Sequence, residues 1–195
     1  MTREVRRRAD AERNIEAILD AALDCVSEQS DASMTAIAQR AGVSRVTLYA
    51  HFSSREDLLA QVLDRAVSTA ATVLDGEALD EGDPVDALTR LVRSGWRVLV
   101  RYRNLMAAAN QVLPPNQVRG YHKVVLRRVE SLILRGRREG AFRTDLPQPW
   151  LVTVFYSLLH SAAEEVAAGR LRQRDAADVL LATLISALTV PVTTA

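Results

Sequence analysis

Apolar residues recur three or four positions apart along most of this chain, which is the period of an amphipathic α-helix. The eight Gly and six Pro residues cluster between the periodic stretches, as expected where helices end and turns begin. The pattern therefore predicts an all-α protein. The predicted helices cover approximately residues 10–29, 34–41, 45–51, 54–74, 84–102, 103–112, 116–139, 148–168 and 175–189.

Residues 33–52 predict two short helices joined at Gly42. This glycine stands where the first helix must end, a position that usually has a left-handed backbone. Ser33 and Ser44 each precede a helix, where a hydroxyl accepts from the free amides of the first turn. A small apolar wedge joins the two helices and consists of Ile37, Ala38, Ala41, Val43 and Leu48. The pattern indicates a helix-turn-helix, whose second helix enters the DNA major groove.

Two arginines support this interpretation. Arg45 and Arg55 fall in the first turns of predicted helices, where the helix dipole disfavours a cation. Both positions are explained if the missing anion is a DNA phosphate or the acceptor edge of a base. The alternative is an ordinary helical hairpin within an all-helical core, which leaves both arginines unexplained.

Residues 33–59 also resemble the DNA-binding domain of TetR-family repressors. The shared features are an Ile-Ala pair, an Ala-Gly-Val-Ser turn, a Leu-Tyr-x-x-Phe segment at 48–52, and a basic-acidic pair before Leu58-Leu59. The resemblance implies an N-terminal three-helix DNA-binding domain followed by a larger helical domain for ligand binding and dimerisation. It further implies a transcriptional repressor that binds a pseudo-palindromic DNA operator as a homodimer and is released by a small-molecule effector.

The residues predicted to contact DNA come from the helix-turn-helix and its flanks. Arg45 is suited to a guanine edge, whereas Tyr49 and His51 are expected at phosphates. The full set is Thr35, Ser44, Arg45, Val46, Thr47, Tyr49, His51 and Arg55.

Net charge gives no sign of DNA binding. The chain carries a net charge of +1, and residues 1–65 hold nine Arg against eleven Asp and Glu. The cations are instead concentrated at the reading surface and in an N-terminal arm of Arg3, Arg6, Arg7 and Arg8. We therefore expect modest non-specific affinity, confined to one face.

An acidic, turn-rich segment at 75–84 marks the best domain boundary. It predicts a DNA-binding domain at 1–55, a connecting helix at 56–75 and a regulatory and dimerisation domain at 76–195. The connecting helix begins at a predicted capping box made by Ser53 and Glu56.

The last two predicted helices are almost free of charge. No Asp, Glu, Lys or Arg occurs between Asp145 and Glu164 or after Asp178. A helix that is apolar on nearly all sides must be buried on nearly all sides. We therefore predict a four-helix dimer interface; a central core helix within one protomer is the alternative. The candidate interface residues are Leu158, Ala162, Leu181, Ile185 and Leu188.

Aromatic and polar residues on the helices between 84 and 168 predict an effector pocket. Aromatic walls with a few polar groups are typical of small-molecule sites, and the expected effector is partly aromatic and largely uncharged. A cationic effector served by Glu164 and Glu165, or plain core packing of each aromatic, are the alternatives. The candidates are Trp96, Tyr102, Met106, Tyr121, His122, Phe155, Tyr156 and His160.

Several other classes of function receive little support. Cys25 is a lone cysteine, expected to be a small buried hydrophobe. No apolar stretch suggests a signal peptide or a membrane span, so a cytoplasmic location without membrane contact is expected. His160 and Glu164 lie four residues apart, but a third metal ligand is not evident, and neither a metal nor a cofactor is predicted. The alternatives to a ligand-responsive regulator are a helical enzyme or metal-binding protein that uses His122, His160 and Glu164, and a DNA-binding protein without an effector.

The basic run at 135–138 falls at the end of a predicted helix. The helix dipole favours cations at this end, and the sequence predicts a solvated C-terminal cap; a nucleic-acid site is the alternative.

Overall fold

The computed structural model describes residues 3–189, apart from the side chains of residues 3–7 and 9. This part of the chain is all-α, as predicted, and contains ten helices and no strand. They are α1 (Arg3–Glu28), α2 (Met34–Arg40), α3 (Arg45–His51), α4 (Arg55–Asp75), α5 (Pro84–Arg101), α6 (Arg103–Val112), α7 (Pro115–Tyr121), α8 (Lys123–Arg138), α9 (Gln148–Ala167) and α10 (Gln173–Leu188).

The single helix predicted for residues 116–139 is wrong. The chain forms two helices there, α7 and α8, separated at His122. Gly120 lies just before the break, and a glycine lowers the stability of a helix interior. The start of α1 also differs, because the helix begins at Arg3 and not near residue 10. Of the predicted basic arm, Arg8 is exposed on α1, whereas the side chains of Arg3, Arg6 and Arg7 lie outside the described residues.

The cap of α4 is shifted by one residue from its predicted position. Ser54 Oγ accepts from Asp57 N at 3.1 Å. Asp57 Oδ2 in turn accepts from Ser53 N at 3.0 Å. Ser54 and Asp57 therefore take the capping roles predicted for Ser53 and Glu56.

The chain divides into two compact units. The N-terminal unit extends to Val67 and includes Tyr102–Tyr121, and the C-terminal unit comprises Ser68–Arg101 and the chain from His122 onward. Within the N-terminal unit α6 packs on α1, and Asn104 Nδ2 donates to Ser27 O at 2.6 Å. The regulatory domain predicted at 76–195 includes α6 and α7. In the structure these two helices pack with the N-terminal unit.

In the C-terminal unit, four helices surround one hydrophobic core. Helix α9 packs against α8 and α10, and α5 packs against the same two helices. The core includes Trp96, Leu132, Phe155 and Leu184. A glycine allows one close approach, because a Cβ at Gly136 would overlap the ring of Phe142. No helix among the described residues has the length and apolar character needed to cross a bilayer.

Candidate DNA-binding site and effector site

The turn between α2 and α3 has the geometry that its residues predict. Gly42 has a φ of +68°, a left-handed conformation that glycine adopts without steric cost. Its amide and that of Val43 donate to carbonyls in the last turn of α2 at 3.1 and 3.0 Å, which forms a Schellman motif. Ser44 Oγ then caps α3 by accepting from Thr47 N at 3.0 Å. These local bonds determine where one helix stops and the next begins.

Buried side chains hold α2 and α3 in the N-terminal unit. Ile37 and Leu48 are fully buried, and Ala38 and Phe52 are almost so. Ala41 and Val43, the other members of the predicted wedge, are half-buried. Since this face is occupied by packing, the opposite face of α3 is the one available to a ligand.

That opposite face carries three of the predicted DNA-binding residues. Val46 is 80% exposed and Tyr49 is 44% exposed, and Arg45 is exposed beside them. Tyr49 lies four residues after Arg45 and three after Val46, so it neighbours both side chains on the helix surface. Together they offer a guanidinium, an apolar group and a phenol to a partner.

The other predicted contacts are less exposed or already bonded within the chain. Ser44 is exposed, and its hydroxyl lies 2.8 Å from the hydroxyl of Thr47. Thr47, Thr35 and His51 are half-buried. Their DNA contacts stay predictions.

Arg55 has a structural role that the sequence did not reveal. Its Nη2 donates to Ser30 O at 2.7 Å, and its Nη1 donates to Ala32 O. The guanidinium at the start of α4 therefore bonds to the loop between α1 and α2. Substitution of Arg55 is expected to affect stability as well as any DNA contact.

Uncharged side chains are exposed on both predicted interface helices, α9 and α10, although Glu164 on α9 and Asp178 on α10 are exposed as well. Trp150 is 55% exposed and Val179 is 48% exposed. From Val179 the exposed stripe continues through Ala182, Thr183 and Ser186. Of the predicted interface residues, Leu188 is fully buried within its own unit and has no surface to offer a partner. The other four, Leu158, Ala162, Leu181 and Ile185, are partly buried against the core.

Three of the predicted effector-binding residues form an aromatic cluster in the C-terminal unit. The ring centroids of His122 and His160 lie 5.3 Å apart, and those of Tyr156 and His160 lie 4.3 Å apart. Burial, and secondarily the charge of His122, lower the pKa of His160 to about 4. The His160 ring is therefore neutral at physiological pH.

The other five predicted effector residues are distributed differently. Trp96 and Phe155 are buried in the hydrophobic core of the C-terminal unit. Tyr102, Met106 and Tyr121 belong to the N-terminal unit, where the hydroxyl of Tyr121 accepts from Gln117 Nε2 at 3.3 Å.

A groove of about 680 Å³ lies in the C-terminal unit, and none of the three residues of the aromatic cluster lines it. Its walls come from the end of α4, the loop that follows, and α8. This groove was missed from the sequence because Arg135 was expected to be a solvated cap. The Arg135 side chain is in fact only 12% exposed.

The metal-binding alternative finds little support. Glu164 is exposed, and the described residues contain no group of three or more His, Cys, Asp or Glu side chains that could hold a metal. Cys25 is buried, as expected for a small hydrophobe.

Comparisons with known proteins agree with the geometry of the helix-turn-helix. Residues 18–62 match the family model described as "Bacterial regulatory proteins, tetR family". The transcriptional regulator NfxB of Pseudomonas aeruginosa is 24% identical over 170 residues, which cover 85% of this chain and 89% of NfxB. The transcriptional repressor LfrR of Mycolicibacterium smegmatis is 28% identical over 186 residues, which cover 91% of each chain. Both relatives are regulators of transcription.

Solved structures show the same fold. FadR of Bacillus subtilis in complex with stearoyl-CoA has a TM-score of 0.75 at 16% identity, covering 88% of this chain and 97% of FadR. LfrR in complex with proflavine has a TM-score of 0.64 at 23% identity, covering 92% of this chain and 98% of LfrR.

Proposed function

This chain is a transcriptional regulator of the TetR family, and we propose that it represses transcription by binding a pseudo-palindromic DNA operator as a homodimer until a small-molecule effector releases it. One observation carries the proposal: one face of α3 is buried through Leu48, while Arg45, Val46 and Tyr49 are exposed on the other face. Action on chromosomal DNA implies a cytoplasmic location in a bacterium.

Base reading is assigned to Arg45 and Val46. A guanidinium forms two hydrogen bonds with the O6 and N7 atoms of guanine, and an apolar group contacts the methyl group of thymine. Tyr49 is placed to donate to a phosphate, a contact that positions the helix without reading sequence. Thr35, Ser44, Thr47, His51 and Arg55 complete the proposed surface.

Dimerisation through α9 and α10 is supported by the uncharged stripe on α10. Small side chains such as those of Ala182 and Ser186 allow helices to approach closely, and a two-fold axis places the same stripe on both partners. Two α3 helices related by this axis would then meet two successive segments of the major groove.

The effector site is assigned to the cluster of His122, Tyr156 and His160. Rings in edge-on contact, together with the uncharged imidazole of His160 and the hydroxyl of Tyr156, suit a flat, partly aromatic ligand, and the similar protein LfrR has been solved with proflavine. Because α4 contributes residues to both units, a shift of that helix is the route by which we expect bound effector to lower operator affinity.

The test is a binding titration with labelled DNA from the promoter next to the protein's own gene. We expect a salt-dependent complex that contains two protomers and dissociates when proflavine is added to the wild type. The His160→Ala variant is expected to bind the same DNA but to resist proflavine. The proposal would be refuted if the protein did not bind that promoter, or if it bound no DNA more tightly than a scrambled duplex.

A further inference from the structure

The groove beside α8 combines an apolar floor with arginine side chains. Val124 is 41% exposed and Leu79 is half-buried, and both line the groove together with Leu74 and Leu132, which are almost fully buried. Four arginines and two aspartates line the same groove, so its walls carry more positive than negative groups. Its volume of about 680 Å³ falls within the range of small-molecule sites, roughly 300–1,000 Å³.

Two of the four arginines are occupied by contacts within the chain. Arg128 Nε donates to Asp75 Oδ1 at 2.7 Å. Arg135 donates to Gly82 O at 2.7 Å and to Leu79 O at 3.1 Å, and these bonds hold the loop that forms one wall of the groove. The Nε of Arg135 is buried without an acceptor, which is uncommon for a buried donor.

The other two arginines are available to a ligand. Arg127 and Arg138 are exposed, and neither forms a hydrogen bond or an ion pair with any described residue. They are eleven residues apart, which is close to three full turns and places both on one side of α8, about 16 Å apart along its axis. Ser131 lies on this side between them and lines the groove.

We propose that this groove binds an elongated organic anion, with its hydrocarbon part on the apolar floor beside Val124 and Leu79 and its carboxylate or phosphate group held by Arg127 or Arg138. Guanidinium groups form paired, charge-assisted hydrogen bonds with both kinds of anion. Asp80 also lines the groove, and its carboxylate repels a second anionic group, so a ligand with one anionic end is favoured. This site is separate from the aromatic cluster assigned to the effector.

The first test uses decanoate as the probe, measured by isothermal titration against the full chain. The matched neutral probe is decanol, which has the same chain length and no charge. We expect decanoate to bind at least ten times more tightly than decanol. Absence of decanoate binding, or equal affinity for the two probes, would overturn the proposal.

Variants then locate the site. The double variant Arg127→Ala/Arg138→Ala is expected to weaken decanoate binding at least tenfold. The matched control Arg93→Ala/Arg103→Ala removes two exposed arginines elsewhere and is expected to stay within twofold of the wild type. Ser131→Trp fills the groove without changing its charge, and because Ser131 is exposed the variant is expected to fold and to lose binding.

One result would assign decanoate to the effector site instead. If His160→Ala abolishes decanoate binding while the double arginine variant retains it, the groove is not the anion site. Unchanged binding by Ser131→Trp would lead to the same conclusion. Both outcomes leave the proposed regulation by operator binding intact, because operator affinity is measured separately.

Discussion

The helix-turn-helix and the C-terminal unit differ in how far apart in the sequence the residues that form them lie. The turn at Gly42, the cap at Ser44 and the buried wedge all lie within about twenty consecutive residues, and each acts on its immediate neighbours. In the C-terminal unit the core joins residues far apart in sequence, such as Leu74 and Leu188. Neighbouring residues are therefore enough to predict the proposed DNA-reading surface, whereas a ligand site depends on which helices pack together.

The same difference predicts where substitutions act. A change on the exposed side of α3 should alter DNA binding and leave folding intact. A change in the C-terminal unit should alter assembly or stability first. Five predictions test this separation, beginning with the largest expected effect.

The largest effect is expected from Thr183→Glu on the uncharged stripe of α10. Two glutamates brought together across a two-fold axis and desolvated without partners are expected to cost about 3–5 kcal/mol of dimer stability. The measurement is sedimentation equilibrium, which should show a folded monomer. Thr72→Glu is the matched control, because each threonine is exposed and donates to the carbonyl four residues earlier in its helix. A Thr183→Glu dimer as stable as that of the control would remove α10 from the interface.

The second prediction concerns pH. His160 has a pKa of about 4 in the folded chain against 6.5 ordinarily, so between these values the unfolded chain binds more protons. Above pH 6.5 the imidazole is neutral in both states and this group does not reduce the free energy of unfolding. As the pH falls from 6.5 toward 4, the free energy of unfolding decreases by at most about 3 kcal/mol, because the unfolded chain takes up the proton first. Urea unfolding of wild type and His160→Phe at pH 7 and pH 4.5 should show a smaller decrease for the variant. A titration midpoint of the His160 imidazole at or above 6, measured by NMR, would contradict this.

The third prediction compares two helical glycines in the C-terminal unit. Gly136→Ala places a methyl group against the Phe142 ring and is expected to destabilise the unit by about 1–3 kcal/mol. Gly95→Ala meets nothing within 4 Å and is expected to stabilise it by about 0.5–1 kcal/mol. Thermal unfolding of both variants measures the difference. Equal midpoints would show that Phe142 moves aside without cost.

The predictions made from the sequence follow the same division. The left-handed Gly42, the caps at Ser33 and Ser44 and the span of α3 are confirmed, because each depends on neighbouring residues. The break at His122 and the bonds of Arg55 to the loop before α2 were missed. The apolar period of the two helices continues across the single residue His122, so the sequence pattern does not show the break. The carbonyls that Arg55 contacts are more than twenty residues away in sequence, so neighbouring residues do not indicate them. Arg135 was misjudged for the same reason, since its two backbone acceptors lie in the loop before α5.

The fourth prediction contrasts the two arginines of the proposed DNA-binding surface, Arg45 and Arg55. Arg45→Ala is expected to weaken operator binding by about 1–3 kcal/mol and to relax the preference at one base pair, with no change in the unfolding midpoint. Arg55→Ala is expected to lower that midpoint, because two backbone carbonyls lose their donor. It is also expected to weaken binding to all sequences and to flatten the salt dependence. Unchanged operator affinity in both variants would refute the assignment of this surface.

The smallest effect is expected at Val46, and it is the most specific test of base reading. The side chain is 80% exposed, so Val46→Ala creates no cavity and should leave the unfolding midpoint unchanged. If Val46 contacts a thymine methyl group, the variant loses about 0.5–1 kcal/mol of operator affinity, comparable to burying one methylene group. Replacing thymines of the operator with deoxyuridine one at a time removes the same methyl group from the DNA side. At one position the loss from deoxyuridine should occur with wild-type protein and disappear with Val46→Ala, because the two changes remove one shared contact. Additive losses at every position would show that Val46 does not read thymine, while leaving the contacts of Arg45 to be judged by its own variant.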